Sequence, residues 1–443
     1  MSSIITIAFL ICFAGLAALA VKRPAAALAI AAFFLPFETY YNLGVTVTSN
    51  ELIILALVAG LLLRLIRGEA PAKNLVRISV AFIPFCLALC LSGLFAASFS
   101  EAAKEAVRWF SFFALFAVAG LSIRSLDELG SLFKWLVSAS VPASLYGIFQ
   151  SVFGLPSAAF ELEPHTRIDS LFCLTTGWHV RAHSFFNQAN SFACYQILVL
   201  PMSIYLAGRG KTRAVRTFGA TALVLNLLAL MLTFSRASWP LAIISIVAYF
   251  LLSREKGLAR PVLSGKRLLW PVIGILLAAT IAGLFLKGAD ISSLLSGYSG
   301  IQRLQLYRAG LSLIADRPIL GYGPGNYHLA AEGIKLAGDV ERLKRAHLHN
   351  LYLQVALETG MIGLASFLFF VVYIVGSACR GVRAARSPAL RGLAASLCVS
   401  SCAFFTYNMI DIYRYHGVHL LAAVIMGSAM ALASVENGSG SAI

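Results

Sequence analysis

Apolar runs of about 20 residues, separated by short polar or basic stretches, recur from one end of the chain to the other. A bilayer core about 30 Å thick takes about 20 helical residues to cross. Inside it every backbone polar group needs an internal partner, which favours helices. The runs lie near Ile4–Ala20, Ala25–Phe37, Leu52–Leu65, Val80–Ala97, Val107–Ile123, Leu132–Phe153 and Ser191–Ala207. They continue at Phe218–Phe234, Trp239–Leu252, Leu268–Leu286, Ile362–Ala378, Leu393–Ile410 and Gly417–Ser434. Ala25–Phe37 is short, so the pattern predicts an all-α, polytopic membrane domain over 1–443 with about 12 to 13 spans. The first run has no basic segment before it and no small-residue cleavage site, and reads as a retained helix.

The polar stretches between the runs set orientation. Arg64–Arg77, Gly208–Arg213, Ser253–Arg267 and Cys379–Arg391 are short, basic and poor in acids. The positive-inside rule puts such loops in the cytoplasm. Four segments then fall outside: Glu38–Glu51, Gly154–Asn190, Lys287–Asn350 and Asp411–His416. Two of them, 154–190 and the larger 287–350, are long enough to carry structure on the outer side.

Composition agrees with this class and narrows the chemistry. The chain is 59% hydrophobic and 12% charged, about half the charged share of ordinary soluble domains. Its net charge is +16, and most of the Lys and Arg fall in the cytoplasmic loops, where they set topology. Others do not. Arg167, Arg181, Arg236, Arg303, Arg308, Arg317, Arg342, Lys344 and Arg345 fall on the outer side. A cationic outer cleft suits a diphosphate, because guanidinium stays charged and forks onto phosphate oxygens. Nucleic acid is a poor match for an outward-facing membrane site. No CxxC or HExxH pattern is present, so no metal site is expected. The phosphate-binding pattern GxxxxGK[ST] is absent too, which argues against ATP hydrolysis. The pairs Cys86/Cys90 and Cys398/Cys402 sit within spans, and Cys173 in an outer loop has no evident partner.

The outer segments carry the motifs. Arg181-Ala-His183-Ser-Phe-Phe-Asn-Gln-Ala-Asn190 leads into a span, with Asn190 placed as a helix cap. Thr233-Phe-Ser-Arg236-Ala-Ser238 is a tight turn between two spans, where Arg236 can also snorkel to headgroups. In the long loop, Arg303-Leu-Gln-Leu-Tyr-Arg308 opens a helix whose apolar positions Leu304, Tyr307, Leu311 and Ile314 follow helical spacing. That helix ends at Asp316-Arg317-Pro318. Gly321-Tyr322-Gly-Pro-Gly325-Asn326 follows, its glycines permitting unusual dihedrals. Last comes His347-Leu-His349-Asn350, which runs directly into a span through Glu358, Gly360 and Gly363. Histidine suits proton transfer near neutral pH.

In this order the segments resemble the O-antigen ligase and O-antigen polymerase family of bacterial envelope enzymes, over about residues 160–380. The shared elements are Arg-x-His/Gly-x-Phe-x-Asn-x-x-Asn, Thr-x-Ser-Arg, Arg-x-x-x-Tyr/Trp-x-x-Ala, Pro-Ile-Leu-Gly-Tyr-Gly-Pro-Gly-Asn and His-Asn-x-x-Leu-x-x-x-x-Glu-x-Gly-x-x-Gly. The resemblance implies the all-helical architecture of C-type glycosyltransferases, with part of the active site on a partly helical periplasmic loop. It implies transfer of a glycan from undecaprenyl diphosphate to an acceptor sugar, without metal or cofactor. The family's histidine falls on His349, its arginines on Arg236 and Arg303. His183 stands where the family commonly has Gly.

On that reading His349 takes the proton of the attacking hydroxyl, and Arg236 and Arg303 hold the diphosphate. Arg181 and Arg308 are further donor-binding candidates. His183, Asn190, Tyr322, Asn326, Asn350 and Glu358 are secondary ones. Direct displacement inverts the anomeric configuration. The expected acceptor is lipid A–core, as in O-antigen ligation. A polymerase would instead accept a second lipid-linked repeat, using the same donor machinery. A transporter of the bicarbonate type shares related motifs, but carriers usually place an acid or a broken helix at the bilayer midplane. Here the polar chemistry gathers on one side.

Overall fold

In the computed structural model, residues 2–42, 46–69, 72–153, 181–186, 188–254, 298–332, 347–412 and 417–438 are described. Arg167, Cys173, the run Leu268–Leu286, and Arg342, Lys344 and Arg345 lie outside the described residues.

The predicted runs that fall on described residues are helical. The first half of the chain holds α1 (Ser2–Lys22), α2 (Pro24–Phe34), α3 (Ser49–Ile66), α4 (Ala72–Leu94), α5 (Phe99–Ser122) and α6 (Leu126–Phe153). Then come α7 (Ala189–Arg209), α8 (Arg213–Leu232), α9 (Ser238–Leu252), α10 (Tyr298–Asp316) and the short α11 (Tyr327–Ala331). The last three are α12 (Leu351–Ala384), α13 (Pro388–Tyr407) and α14 (Val418–Gly438). The exception to the all-α pattern is a small antiparallel hairpin, β1 (Tyr40–Asn42) and β2 (Thr46–Thr48), with Tyr40 opposite Thr48.

Among the described residues eight helices are long and apolar enough to cross a membrane: α3 to α8, α12 and α13. Four more apolar stretches are shorter, in α1, α2, α9 and α14. Of the expected 12 to 13 spans, the described residues thus hold eight long apolar helices, with shorter apolar stretches in α1, α2, α9 and α14 beside them. The 11 residues of α2 reach about 16 Å at 1.5 Å each, half a bilayer core.

Local chemistry marks the helix ends. Thr48 and Glu51 form a reciprocal capping box at α3. Ser387 accepts from the Leu390 N–H at α13, where Pro388 takes the first turn. Packing centres on α7, which is buried along almost its whole length between α6, α8, α9 and α13. Beside it α5 and α14 lie in close contact, and Gly427 leaves no room for a Cβ against the Phe116 carbonyl. Phe85, Trp109, Phe113, Phe367 and Phe370 fill the space between α4, α5 and α12 with edge and stacked ring contacts.

Connections at the two ends of the bundle differ in kind. At one end Arg124 donates to the Glu69 carbonyl, Lys211 pairs with Asp127, Arg209 donates to the Ser253 carbonyl, and Arg391 donates to the Arg254 carbonyl. These contacts join the basic loops to one another. At the other end the motif-bearing segments meet.

Candidate functional site

The site is assembled at the start of α12. Asn350 is its N-cap, accepting from the Tyr352 and Leu353 N–H groups at 3.0 and 3.1 Å. Its amide also donates to the Met409 carbonyl at 3.0 Å, and the Leu351 N–H donates to the Asn408 carbonyl at 2.9 Å. These bonds stitch the head of α12 to the turn that ends α13. His349 and Asp411 are thereby brought together across 62 residues of chain, with His349 Nδ1 at 2.9 Å from Asp411 Oδ1.

Asp411 is almost fully buried, with a side-chain exposure of 4%. Burial by itself raises its carboxyl. The hydrogen bond and charge of His349, the neighbouring His347 and the Ile412 N–H outweigh that and hold it at about 2. An ionised carboxylate only accepts, so His349 Nδ1 donates to it, and in the neutral ring Nε2 keeps its lone pair. The His349 backbone is left-handed at φ +52°, a conformation costly for a residue with a Cβ. Two contacts hold it there. Its N–H donates to His347 Nδ1 at 3.2 Å, and its carbonyl accepts from the Tyr307 hydroxyl at 3.2 Å. The other left-handed non-glycine residues among those described are Ser184 and Phe234. All three lie in motif segments at this end of the bundle, the distribution expected where strain serves a site.

Helix α10 brings up the cation. Arg303 and Tyr307 are four apart and share a face, and Arg303 Nη2 stands 4.0 Å from Asp411 Oδ2. Burial raises the Tyr307 hydroxyl, against the pull of Arg303 and the Asn350 amide. The buried stripe of α10 differs from the expected one. Leu304 and Leu311 are exposed, while Leu306, Gly310 and Leu313 face Leu348, Leu357 and Tyr327. The spacing was helical, but the apolar residues ring much of this helix, and only contact with the Leu348 segment selects the face.

His347, His349 and Asp411 offer three ligand atoms within 4.8 Å of one another, a grouping able to hold a cation. The hydrogen bonding fits that use poorly. Because His347 Nδ1 accepts the His349 N–H, its Nε2 carries the proton and has no lone pair to offer, and Nε2 is the atom 3.9 Å from Asp411.

The remaining predicted residues divide. Arg236 is exposed in the α8–α9 turn, and Arg308 is exposed on α10, on a different face from Arg303. Arg181 is half-buried and points inward, donating to the Thr233 carbonyl at 2.8 Å and to Asn190 Oδ1 at 3.1 Å. Asn190 is not the cap: α7 starts two residues earlier than that reading requires, with Gln188 in the cap position. Its amide instead donates to Asp411 Oδ2 at 3.3 Å. His183 has both ring nitrogens engaged, at 2.9 Å from Gln150 Nε2 and at 2.9 Å from the Phe186 carbonyl. Burial lowers its pKa, the Phe186 carbonyl opposes this, and the Arg181 charge adds to it.

Tyr322, Asn326 and Glu358 belong to a clasp. Helix α12 is interrupted at Gly360, with φ +65°. The Leu357 and Glu358 carbonyls near the break accept from the Tyr322 and Gly323 N–H groups at 3.0 and 2.9 Å, and the Met361 N–H donates to the Pro318 carbonyl at 2.7 Å. Asn326 pins the clasp to α5, accepting from the Ser98 N–H at 2.7 Å. Arg317 stacks 4.7 Å over the Tyr322 ring. Glu358 is buried and accepts from Gln354 Nε2 at 2.6 Å, while Gln354 Oε1 accepts from the Leu348 N–H at 3.0 Å.

Asp411 is the one residue of this constellation that the motifs did not name. The available signal was its place as the acid in the short outer segment Asp411–His416, on the same side as His349.

Residues 221–368, about a third of the chain, match the family described as O-antigen ligase. The match covers Arg236, Arg303, Arg308, Tyr322, Asn326, His349, Asn350 and Glu358, and bears out the resemblance read from the motifs. Arg181, His183, Asn190 and Asp411 lie beyond it. No curated protein matches the chain.

Proposed function

From the match of residues 221–368 to the O-antigen ligase family, we propose that this chain joins an undecaprenyl-diphosphate-linked glycan to lipid A–core at the periplasmic face of the inner membrane. The observation that carries this reading is the His349–Asp411 pair, 2.9 Å apart, with Arg303 beside it.

The acceptor hydroxyl attacks the anomeric carbon of the donor. As that C–O bond forms, the bond to the diphosphate breaks and undecaprenyl diphosphate leaves with the electron pair. The hydroxyl proton passes to His349 Nε2, a positioned base being worth about 10²- to 10⁴-fold. Asp411 fixes the tautomer and stabilises the imidazolium that results, as a carboxylate does for a catalytic histidine elsewhere. Arg303, and Arg236 from its exposed turn, offset the charge growing on the leaving diphosphate. One displacement inverts the anomeric centre. The tautomer of His347 favours a reaction without metal. The basic loops joined at the opposite end of the bundle support a periplasmic orientation, by the positive-inside rule.

The broken helix at Gly360 does not favour a carrier. Helix α12 has 34 residues, about 51 Å in length, where about 30 Å suffices to cross. The 24 residues after Gly360 span about 36 Å by themselves, so the break falls near the outer boundary rather than at midplane.

The test uses purified protein, lipid-linked glycan and lipid A–core, without nucleotide and with EDTA present. Transfer is expected, and His349→Ala abolishes it at matched protein level. Product formed only with a second lipid-linked repeat as acceptor identifies a polymerase instead. A strict need for a divalent metal, or full activity of His349→Ala, refutes the mechanism.

A further inference from the structure

A row of hydrogen bonds runs from Asp411 away from the reacting end of His349. Asn190 Nδ2 donates to Asp411 Oδ2 at 3.3 Å, while Asp411 Oδ1 accepts from His349 Nδ1 and the Ile412 N–H. Asn190 Oδ1 accepts from Arg181 Nη2, and Arg181 Nε donates to the Thr233 carbonyl at the end of α8. A guanidinium only donates and an ionised carboxylate only accepts. An asparagine between them has one satisfactory orientation, because the flipped amide sets NH₂ against guanidinium and oxygen against carboxylate. Arg181 therefore decides which end of Asn190 meets Asp411. These two contacts point into the protein, and neither is to the face that Arg303 shares with His349.

We propose that Arg181 and Asn190 are positioning residues that act on His349 through Asp411, and that Arg181 holds this relay rather than the phosphates of the donor. The inference rests on His349 being the base. It assigns to α7 and the α8–α9 turn the task of keeping the dyad in register while α10 supplies the cation. Among the described residues, the charged and titratable groups facing His349 are Asp411, His347, Arg303 and Tyr307, with Arg181 one residue further out behind Asn190.

The experiment uses Asn190→Asp and Arg181→Gln in the full-length protein. Asn190→Asp keeps the shape but replaces a donor with a second negative charge behind Asp411, which favours the protonated imidazole. The acid limb of the pH–rate profile is expected to move up by about one pH unit, with kcat lowered at least tenfold and KM for the lipid-linked donor within twofold of wild type. Arg181→Gln removes the distant cation and is expected to give the same pattern with a smaller shift. The pH dependence of His349 carbethoxylation by diethyl pyrocarbonate, read by mass spectrometry, requires no turnover and is expected to move in the same direction. A raised donor KM with an unmoved acid limb in Arg181→Gln makes it a phosphate ligand and overturns the proposal. So does an unmoved carbethoxylation profile in both variants. A profile that moves in a protein showing no glycan transfer supports the relay and removes the enzymatic reading instead.

Discussion

Asp411→Asn alters one atom of the constellation, an oxygen exchanged for NH₂, at a side chain only 4% exposed. Its consequences for stability follow from the carboxyl held at about 2 against an ordinary value of 3.8. A depressed folded-state pKa means the native chain prefers the ionised form. That contribution is fully present above about pH 4 and is lost as pH falls through about 2. Nearly two units correspond to about 2 kcal/mol near neutral pH, so Asp411→Asn is expected to be less stable by about that much at pH 7, the difference shrinking as pH falls and vanishing only below about pH 2. Thermal unfolding in detergent across that range checks the sign.

The catalytic effect should be larger. An amide can turn its NH₂ toward His349 Nδ1, which reverses the tautomer and puts a proton on Nε2, the atom required as base. It also leaves the imidazolium without a counter-charge. A loss on the order of 10³- to 10⁴-fold in kcat is expected, as for the same substitution behind a histidine base in other enzymes, with donor KM little changed. The assay is transfer from lipid-linked donor by purified protein, with fold confirmed by the unfolding curve. An Asp411→Asn protein that retains a third of wild-type turnover refutes the dyad.

Arg303→Lys is expected to lose nearly as much activity as Arg303→Ala, about 100-fold, because an ammonium cannot fork onto phosphate; rescue by Lys to within threefold points to charge alone. Gly360→Ala meets both a left-handed φ and the Ile319 carbonyl, where no Cβ fits. It should cost at least about 2 kcal/mol in thermal unfolding, whereas Gly376→Ala, whose Cβ meets only the Arg380 guanidinium at an ordinary 3.5 Å, should be neutral or slightly stabilising. A cysteine at Ser299 should react with an impermeant maleimide from outside intact spheroplasts and one at Ser264 should not; the reverse pattern inverts the orientation.

How much of this was legible in the sequence depends on how far each feature reaches along the chain. The helices were, because a span is written in consecutive residues and its 20-residue apolar run is a local signal. So was His349, since Asn350, Glu358 and Gly360 follow it at fixed offsets in one segment. The clasp was visible as a glycine-rich turn but not in its purpose. That Tyr322 and Gly323 serve carbonyls beside a break at Gly360 requires knowing that two segments about 35 residues apart dock. Asp411 was visible only as an acid at the end of a span. Nothing in the spacing of Asp411 from His349 marks them as partners; the Asn350 and Leu351 bonds to residues 408 and 409 make them so. Asn190 illustrates the same limit from the other side. A polar residue at a helix start is most economically read as a cap, and Gln188 takes that position without a side-chain bond. The asparagine one turn's fraction further is freed to face Asp411, a role set by the approach of the α13–α14 turn. The proposed reacting group was thus readable from one segment, while the residues placed to orient it come from three others and are identified only by the distances between them.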